Sequence, residues 1–101
     1  MKIEVLHIDE CPNWEHAGDR IREALAQLGD TASVVENRLL RTSEDAAAVP
    51  FSGSPTILVD GEDLFPTSRR TSDLACRIYA TPDGLAGVPT VEQIVEAIRV
   101  R

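Results

Sequence analysis

The chain has 101 residues, with 43% hydrophobic and 27% charged side chains, which is typical of one small globular domain over residues 1–101. Its 17 acidic residues outnumber its 10 basic ones, and the net charge of −7 argues against a nucleic-acid partner or an anionic membrane surface. No apolar run approaches the length of a membrane span and no secretory leader is evident, so we expect a cytoplasmic protein.

The first predicted elements are a strand over residues 1–9 and a helix that begins at Trp14. Apolar side chains fall on both faces of the strand, which favours a strand covered on both sides. The period then changes to that of an amphipathic helix, and Gly29 is placed to end it in the left-handed conformation. The apolar stripe of the helix consists of Ala17, Ile21, Ala24, Leu25 and Leu28.

Cys11 lies at the junction between this strand and this helix, with Pro12 directly after it. The unpaired N–H groups and the positive dipole end of the helix favour the thiolate over the thiol, so we predict a nucleophilic sulfur. The alternative is a small buried hydrophobic residue that happens to be cysteine. In a cytoplasmic chain, two cysteines favour a catalytic or redox-sensing role over a structural disulfide.

The middle of the chain predicts a second strand, a short helix and a two-stranded hairpin. Asp60-Gly61 is the turn signal of the hairpin, and Ser54-Pro55 precedes its first strand. The second strand covers residues 31–41, the short helix starts at residue 43, and the hairpin strands cover residues 57–59 and 62–65.

Residues 66–89 are predicted to form a long irregular loop, with a helical turn or two over residues 72–79. Loops of this length are unusual in a small domain and are often functional, with a mobile surface excursion as the alternative. Arg69 and Arg70 fit a solvated surface, or else a site for an anionic group of a substrate. A capping box of Thr90 and Gln93 then predicts a final helix.

The order strand, helix, strand, short helix, strand, strand, helix predicts an α/β fold. A right-handed crossover makes the first two strands parallel neighbours, and the hairpin makes the last two antiparallel. We therefore expect a four-stranded mixed sheet flanked by helices on both faces. Such sheets bind ligands beyond the carboxyl ends of the parallel strands, where Cys11 lies. Ser54-Pro55 and the start of the long loop should reach the same edge, which makes Cys76 a candidate as well.

Two motifs resemble the thioredoxin-like superfamily in its glutaredoxin-sized form. One is Asp9-Glu10-Cys11-Pro12-Asn13-Trp14 between a strand and a long helix, and the other is Ser54-Pro55-Thr56 before the third strand. More narrowly, CPNW, SPT-I-V-DG-DLF and ACR-Y-T-GLAG-P are similar to a group of small bacterial thioredoxin-like proteins, some of them labelled alkylmercury-lyase-associated.

The resemblance implies that Pro55 is a cis-proline packed against a reactive Cys11. It also implies a substrate-binding surface around the two motifs. That surface would consist of Pro12, Asn13, Trp14, Ser54, Pro55 and Thr56.

The departure from the family pattern is Trp14, which replaces the second cysteine of Cys-x-x-Cys. Three routes remain open: Cys11 acts as a monothiol resolved by glutathione or a similar small thiol, Cys76 resolves it, or both thiolates hold a soft metal. Zinc is disfavoured because it prefers four ligands, and we expect His7 and His16 to be structural or surface residues. Cys76 has the alternative of simply packing the loop onto the sheet.

These observations predict a thiol–disulfide oxidoreductase in which Cys11 attacks and Cys76 or an external thiol resolves. Its partner would be a small thiol or a protein disulfide, and neither a cofactor nor a resident metal is expected. The alternative is a thiolate-binding protein for a soft metal or an organomercurial. A third hypothesis is an interaction module that keeps the fold without the chemistry.

Overall fold

The computed structural model describes residues 1–67 and 73–101, so Arg69 and Arg70 lie outside the described residues. The described part of the chain contains three helices and six strands. They are β1 (Lys2–His7), α1 (Trp14–Gln27), β2 (Val34–Leu39), α2 (Ser43–Ala47), β3 (Thr56–Val59), β4 (Glu62–Asp63), β5 (Tyr79–Thr81), β6 (Gly84–Ala86) and α3 (Val91–Arg99).

Four of the strands form a mixed sheet in the order β2-β1-β3-β4. β1 runs parallel to β2 and antiparallel to β3, and β3 runs antiparallel to β4. The prediction of an α/β protein with a four-stranded mixed sheet is therefore confirmed. The second and fourth strands are shorter than predicted, since β2 begins at Val34 and β4 ends at Asp63.

Helices cover both faces of the sheet, as the apolar pattern of the first strand predicted. Ile3 and Val5 of β1 point to one face, where they pack in a cluster with Ile21 of α1 and Ile94 of α3. The other face carries a second cluster. Its members are Leu6, Ile8, Cys11, Leu40, Ala46, Val49, Phe51 and Leu58.

Local sequence signals fix the ends of several elements. Gly29 follows α1 with φ 71°, the left-handed conformation expected of a residue that ends a helix. Asp60 and Gly61 join β3 to β4 with φ angles of 51° and 87°, as the turn of a tight hairpin requires. Thr90 and Gln93 form the expected capping box at the start of α3.

The stretch after Pro66 differs from the prediction. No helix forms over residues 73–78, and Tyr79 instead begins the β5–β6 hairpin. The backbone near Arg77 is extended because Arg77 N–H donates to the carbonyl of Ser54, so it is not available to a helix. Ile78 is 69% exposed although its side chain is apolar.

No helix among the described residues combines the length and the apolar character that crossing a bilayer requires.

Replacing Phe51 by alanine should lower the free energy of unfolding by about 3–5 kcal/mol, because its ring is fully buried in the second cluster. Urea denaturation of the oxidised protein, followed by circular dichroism, measures the change. Leu85→Ala is the control, since Leu85 is 77% exposed and its loss should change stability by no more than about 0.5 kcal/mol. Equal effects of the two substitutions would contradict this assignment of the core.

Candidate redox site

A disulfide bond joins Cys11 to Cys76 across a sequence separation of 65 residues. The two Cα atoms lie 6.0 Å apart, which is within the range that disulfides span in proteins. The sequence placed both residues at the same edge of the sheet but left open whether they bond. The structure therefore brings together the two cysteines that sequence reasoning selected.

Ser54 ties together the two segments that carry the cysteines. Its hydroxyl accepts a hydrogen bond of 3.1 Å from the N–H of Ile8, in the segment that leads to the first cysteine. Its own N–H donates to the carbonyl of Ala75, and its carbonyl accepts from the N–H of Arg77, both at 2.8 Å. These two backbone bonds flank Cys76 and form a parallel bridge between Cys76 and Ser54.

The peptide bond between Ser54 and Pro55 is cis, as the resemblance implied. Pro55 is fully buried, and its carbonyl accepts a hydrogen bond from the hydroxyl of Tyr79. Burial raises the pKa of Tyr79, so the hydroxyl keeps its proton at neutral pH and continues to donate. Residues on both sides of Cys76 are thus attached to the Ser54-Pro55 segment.

Arg77 is buried, and both ends of its guanidinium group have partners. It forms an ion pair of 2.9 Å with Asp63, and it donates to the carbonyl of Phe65. Its guanidinium carbon also lies 4.5 Å from the ring centroid of Tyr79. Burial raises the pKa of Asp63 while the adjacent guanidinium opposes that shift. A buried charge is costly unless it is paired, so these contacts hold the residue after Cys76 in one place.

Gly53 allows the chain to approach Arg77 closely. Its φ of 106° lies in the region that side chains avoid, and a Cβ atom there would meet the Cβ and Cα atoms of Arg77 at 2.8 and 2.9 Å. Backbone atoms cannot move aside as a flexible side chain can. Position 53, directly before Ser54, therefore has to be glycine.

The two bonded cysteines have different surroundings. Cys11 is completely buried among Leu6, Leu40 and Phe51, whereas Cys76 is exposed. The alternative that treated Cys11 as a small buried hydrophobic residue describes its environment in this disulfide-bonded state. Its role as an attacking nucleophile stays a prediction.

Helix α1 begins two residues after Pro12, so the first cysteine precedes the N-cap residue Asn13 by two positions. Asn13 makes no side-chain capping hydrogen bond within the described residues, and a Cβ at Gly87 would overlap its amide group. Its amide is therefore turned towards Gly87 rather than to the first helical N–H groups. The first N–H groups of α1 are therefore not capped by Asn13, and they favour a negative charge at the start of the helix. Pro12 is exposed.

Trp14 is half-buried and stacks on the ring of His7, with 4.4 Å between ring centroids and 19° between planes. Burial lowers the pKa of His7, and the nearby carboxylate of Asp9 only partly opposes this. The Nδ1 atom of His7 is buried without a hydrogen-bond partner among the described residues. His7 is thus the buried structural residue that was expected, and Trp14 covers it.

The hydroxyl groups of the predicted substrate-binding residues Ser54 and Thr56 bind the chain itself. Thr56 is fully buried, and its hydroxyl donates to the carbonyl of Gly53 at 2.5 Å and accepts from the N–H of Ser52 at 3.1 Å. Both hydroxyls therefore shape the turn around the cis bond. The substrate-binding role of the two motifs stays a prediction.

A groove of ≈ 520 Å³ opens beside Cys76, between Phe65 and Tyr79. A neighbouring cavity of ≈ 670 Å³ shares Phe65 and Gln93 with it. Sequence reasoning missed Arg77 and Tyr79, the two buried residues of this region. The alternation of buried residues at positions 77 and 79 with exposed ones at 76, 78 and 80 is the strand signal that marks them.

No group of three or more His, Cys, Asp or Glu side chains in the described ranges 1–67 and 73–101 is arranged to hold a metal ion. His16 is exposed on α1.

No protein-family model, curated protein or solved structure matches this chain. The resemblance to thioredoxin-like proteins therefore stays a prediction from the motifs.

Reduction of the disulfide should lower the free energy of unfolding by about 4 kcal/mol, because the bond closes a long loop in the unfolded chain. Urea denaturation with and without a phosphine reductant gives the difference. The double variant Cys11→Ser/Cys76→Ser is the control, and the reductant should leave its stability unchanged. A wild-type protein that is equally stable in both redox states contradicts the expectation.

The protein should lose stability as the pH falls from about 8 to about 5, in part because of His7. Burial lowers the pKa of His7 in the folded protein, so below the unfolded value of about 6.5 the unfolded chain binds the proton more readily than the folded one. Protonation therefore favours unfolding. The loss is at most about 1.4 kcal/mol per pH unit. We expect His7→Phe, which keeps a ring against Trp14, to flatten the profile, measured by urea denaturation at each pH. An unchanged slope in His7→Phe refutes the assignment.

Proposed function

We propose that this chain is a thiol–disulfide oxidoreductase of thioredoxin-like type, with Cys11 and Cys76 as its redox couple. The observation that carries the proposal is a disulfide between a buried cysteine just before α1 and an exposed cysteine between β4 and β5. The partner would be a small thiol or a protein disulfide.

The thioredoxin-like part of the proposal draws on the arrangement around the bond. The mixed sheet β2-β1-β3-β4 agrees with the predicted four-stranded sheet, and the element order agrees with the prediction except for the added β5–β6 hairpin. The cis Ser54–Pro55 bond agrees with what the resemblance implied. Trp14 still occupies the position of the second cysteine, so the couple cannot lie within one Cys-x-x-Cys motif. In this proposal the second thiol comes from Cys76, which lies in the segment between β4 and β5 and is bridged to Ser54.

The exposure of Cys76 favours a redox role over a structural one. Structural disulfides are usually inaccessible and resist reduction by glutathione, whereas exposed disulfides are more often the labile or catalytic ones. The groove of ≈ 520 Å³ gives a partner room beside Cys76. Exchange with an external thiol requires access to one of the two sulfurs, and an exposed cysteine beside a groove provides it.

The proposed reaction transfers two electrons. Two external thiols reduce the Cys11–Cys76 disulfide to two protein thiols and become a disulfide themselves. In the opposite direction, the protein dithiol reduces an external disulfide and the internal bond forms again. The chain's own residues supply the two sulfurs and hold them together, so the cycle needs no cofactor.

A second candidate function is the binding of a soft metal or an organomercurial. The observation in its favour is that Cα atoms 6.0 Å apart would offer two adjacent thiolates after reduction. Two thiolates suit mercury or copper(I).

Equilibration with glutathione redox buffers tests the proposed function. We expect the Cys11–Cys76 bond to open in excess reduced glutathione, because an exposed disulfide should lie above the roughly −300 mV typical of structural bonds. Catalysed reduction of hydroxyethyl disulfide by glutathione should accompany it. Alkylation followed by mass spectrometry reports the redox state, and the oxidised glutathione formed reports turnover.

Matched serine variants complete this test. Cys76→Ser should fall to the background rate of the double variant, because the remaining Cys11 is completely buried. Cys11→Ser loses the internal bond and should keep only the turnover that an external thiol supports at Cys76 alone. A bond that stays intact in excess glutathione, or a wild-type rate equal to that of the double variant, overturns the oxidoreductase. Tight binding of one mercuric ion per reduced chain without any turnover would instead favour the second candidate.

A further inference from the structure

The two sulfur atoms of the disulfide differ in how an incoming thiolate can reach them. Exchange requires the attacking sulfur to approach along the S–S axis, on the side opposite the leaving sulfur. For Cys11 that side is the core, since its side chain is completely buried beside Leu6 and Phe51. Cys76 is exposed and lines the groove of ≈ 520 Å³. Access therefore favours attack on Cys76.

The surroundings of the leaving group also bear on the direction of attack. When an external thiolate attacks Cys76, the sulfur that departs with the bonding electrons is that of Cys11. This sulfur lies just before the N-terminus of α1, where backbone N–H groups favour a negative charge. The helix N-terminus favours this departing charge and the apolar surroundings of Cys11 oppose it, so access to Cys76 decides the direction of attack.

Contacts that involve neither sulfur keep the Cys76 segment in place. Arg77 is paired with Asp63, Tyr79 donates to the carbonyl of Pro55, and Ser54 bonds to the residues on either side of Cys76. Opening the disulfide breaks none of these contacts directly, because none of them involves a sulfur atom. The released Cys11 thiolate therefore stays covered and stays next to Cys76, where it can attack again.

We infer that Cys76 is the sulfur that exchanges with external thiols and that Cys11 is the buried resolving sulfur. This assignment rests on the proposed function and reverses the order that the sequence predicted, in which Cys11 attacks first. Arg77 acts as a positioning residue, because it fixes the segment that carries the exchanging sulfur.

The exchange is balanced in two steps. An external thiolate forms a bond to the Cys76 sulfur, the Cys11–Cys76 bond breaks, and the electron pair leaves on the Cys11 sulfur. A second external thiolate then attacks the external sulfur of the mixed disulfide and releases the Cys76 thiolate. The protein disulfide gains two electrons, and the two external thiols are oxidised to one disulfide.

Trapping the first step in the wild-type protein tests the assignment. The oxidised protein is treated briefly with glutathione, quenched in acid, alkylated with N-ethylmaleimide and mapped by peptide mass spectrometry. We expect glutathione on Cys76 and the maleimide on Cys11, at least about tenfold in excess of the reverse product. Equal amounts, or glutathione mainly on Cys11, overturn the inference.

Failure of the inference is distinguishable from failure of the proposed function. If the mixed disulfide forms at Cys11 and turnover persists, only the sulfur assignment is wrong. If no mixed disulfide forms at either residue and the bond stays intact in excess glutathione, both are wrong.

Substitution of the positioning residue gives a second readout. Arg77→Met should free the segment that carries Cys76, so the Cys76 sulfur is no longer held towards the groove and the ratio of products on Cys76 and Cys11 should fall about tenfold. Arg99→Met is the matched control, because Arg99 is an exposed residue that forms a surface ion pair of 4.0 Å with Glu96, and it should keep the wild-type ratio. A purely structural role for Arg77 would lower stability without changing this ratio, and an unchanged ratio rejects the positioning role.

Discussion

The site depends on one serine. The hydroxyl of Ser54 binds the strand-to-helix junction, and its N–H and carbonyl bind the residues on either side of Cys76. These three hydrogen bonds bring the two segments together. A fully buried serine can be tolerated only when its polar atoms are satisfied, and here the chain itself satisfies them. The disulfide adds a covalent link to an arrangement that backbone hydrogen bonds already define.

The buried ion pair of Arg77 and Asp63 supports the same junction from the other side. Pairs of this kind contribute little net stability, since removal from water offsets most of the attraction. Such a pair instead fixes geometry. A planar guanidinium that binds both a carboxylate and a carbonyl has its orientation fixed as well as its distance from them. Tyr79 adds a neutral hydrogen bond to Pro55, so charged and uncharged contacts both hold the residues that follow Cys76.

Sequence reasoning predicted the features that depend on neighbouring residues. The hairpin at Asp60-Gly61 and the capping box at Thr90 are local signals. Strand order brought the loop that carries Cys76 to the edge of the sheet where Cys11 lies, but it fixed no distance between the two cysteines. The surroundings of the second cysteine were not predictable in this way. Arginine is normally exposed, and its burial at position 77 depends on partners that precede it by 12 and 14 residues. The apolar Ile78 pointed to a helical turn, but tertiary contacts placed it outside.

The disulfide also divides the polypeptide topologically. Residues 11–76 form a closed covalent ring, and β1 and α3 lie on the two tails outside it. A single cut of the backbone anywhere inside the ring leaves both pieces joined while the bond is oxidised. Reduction then separates the amino-terminal piece from the carboxyl-terminal one, so the redox state determines whether a nicked molecule is still one covalent entity.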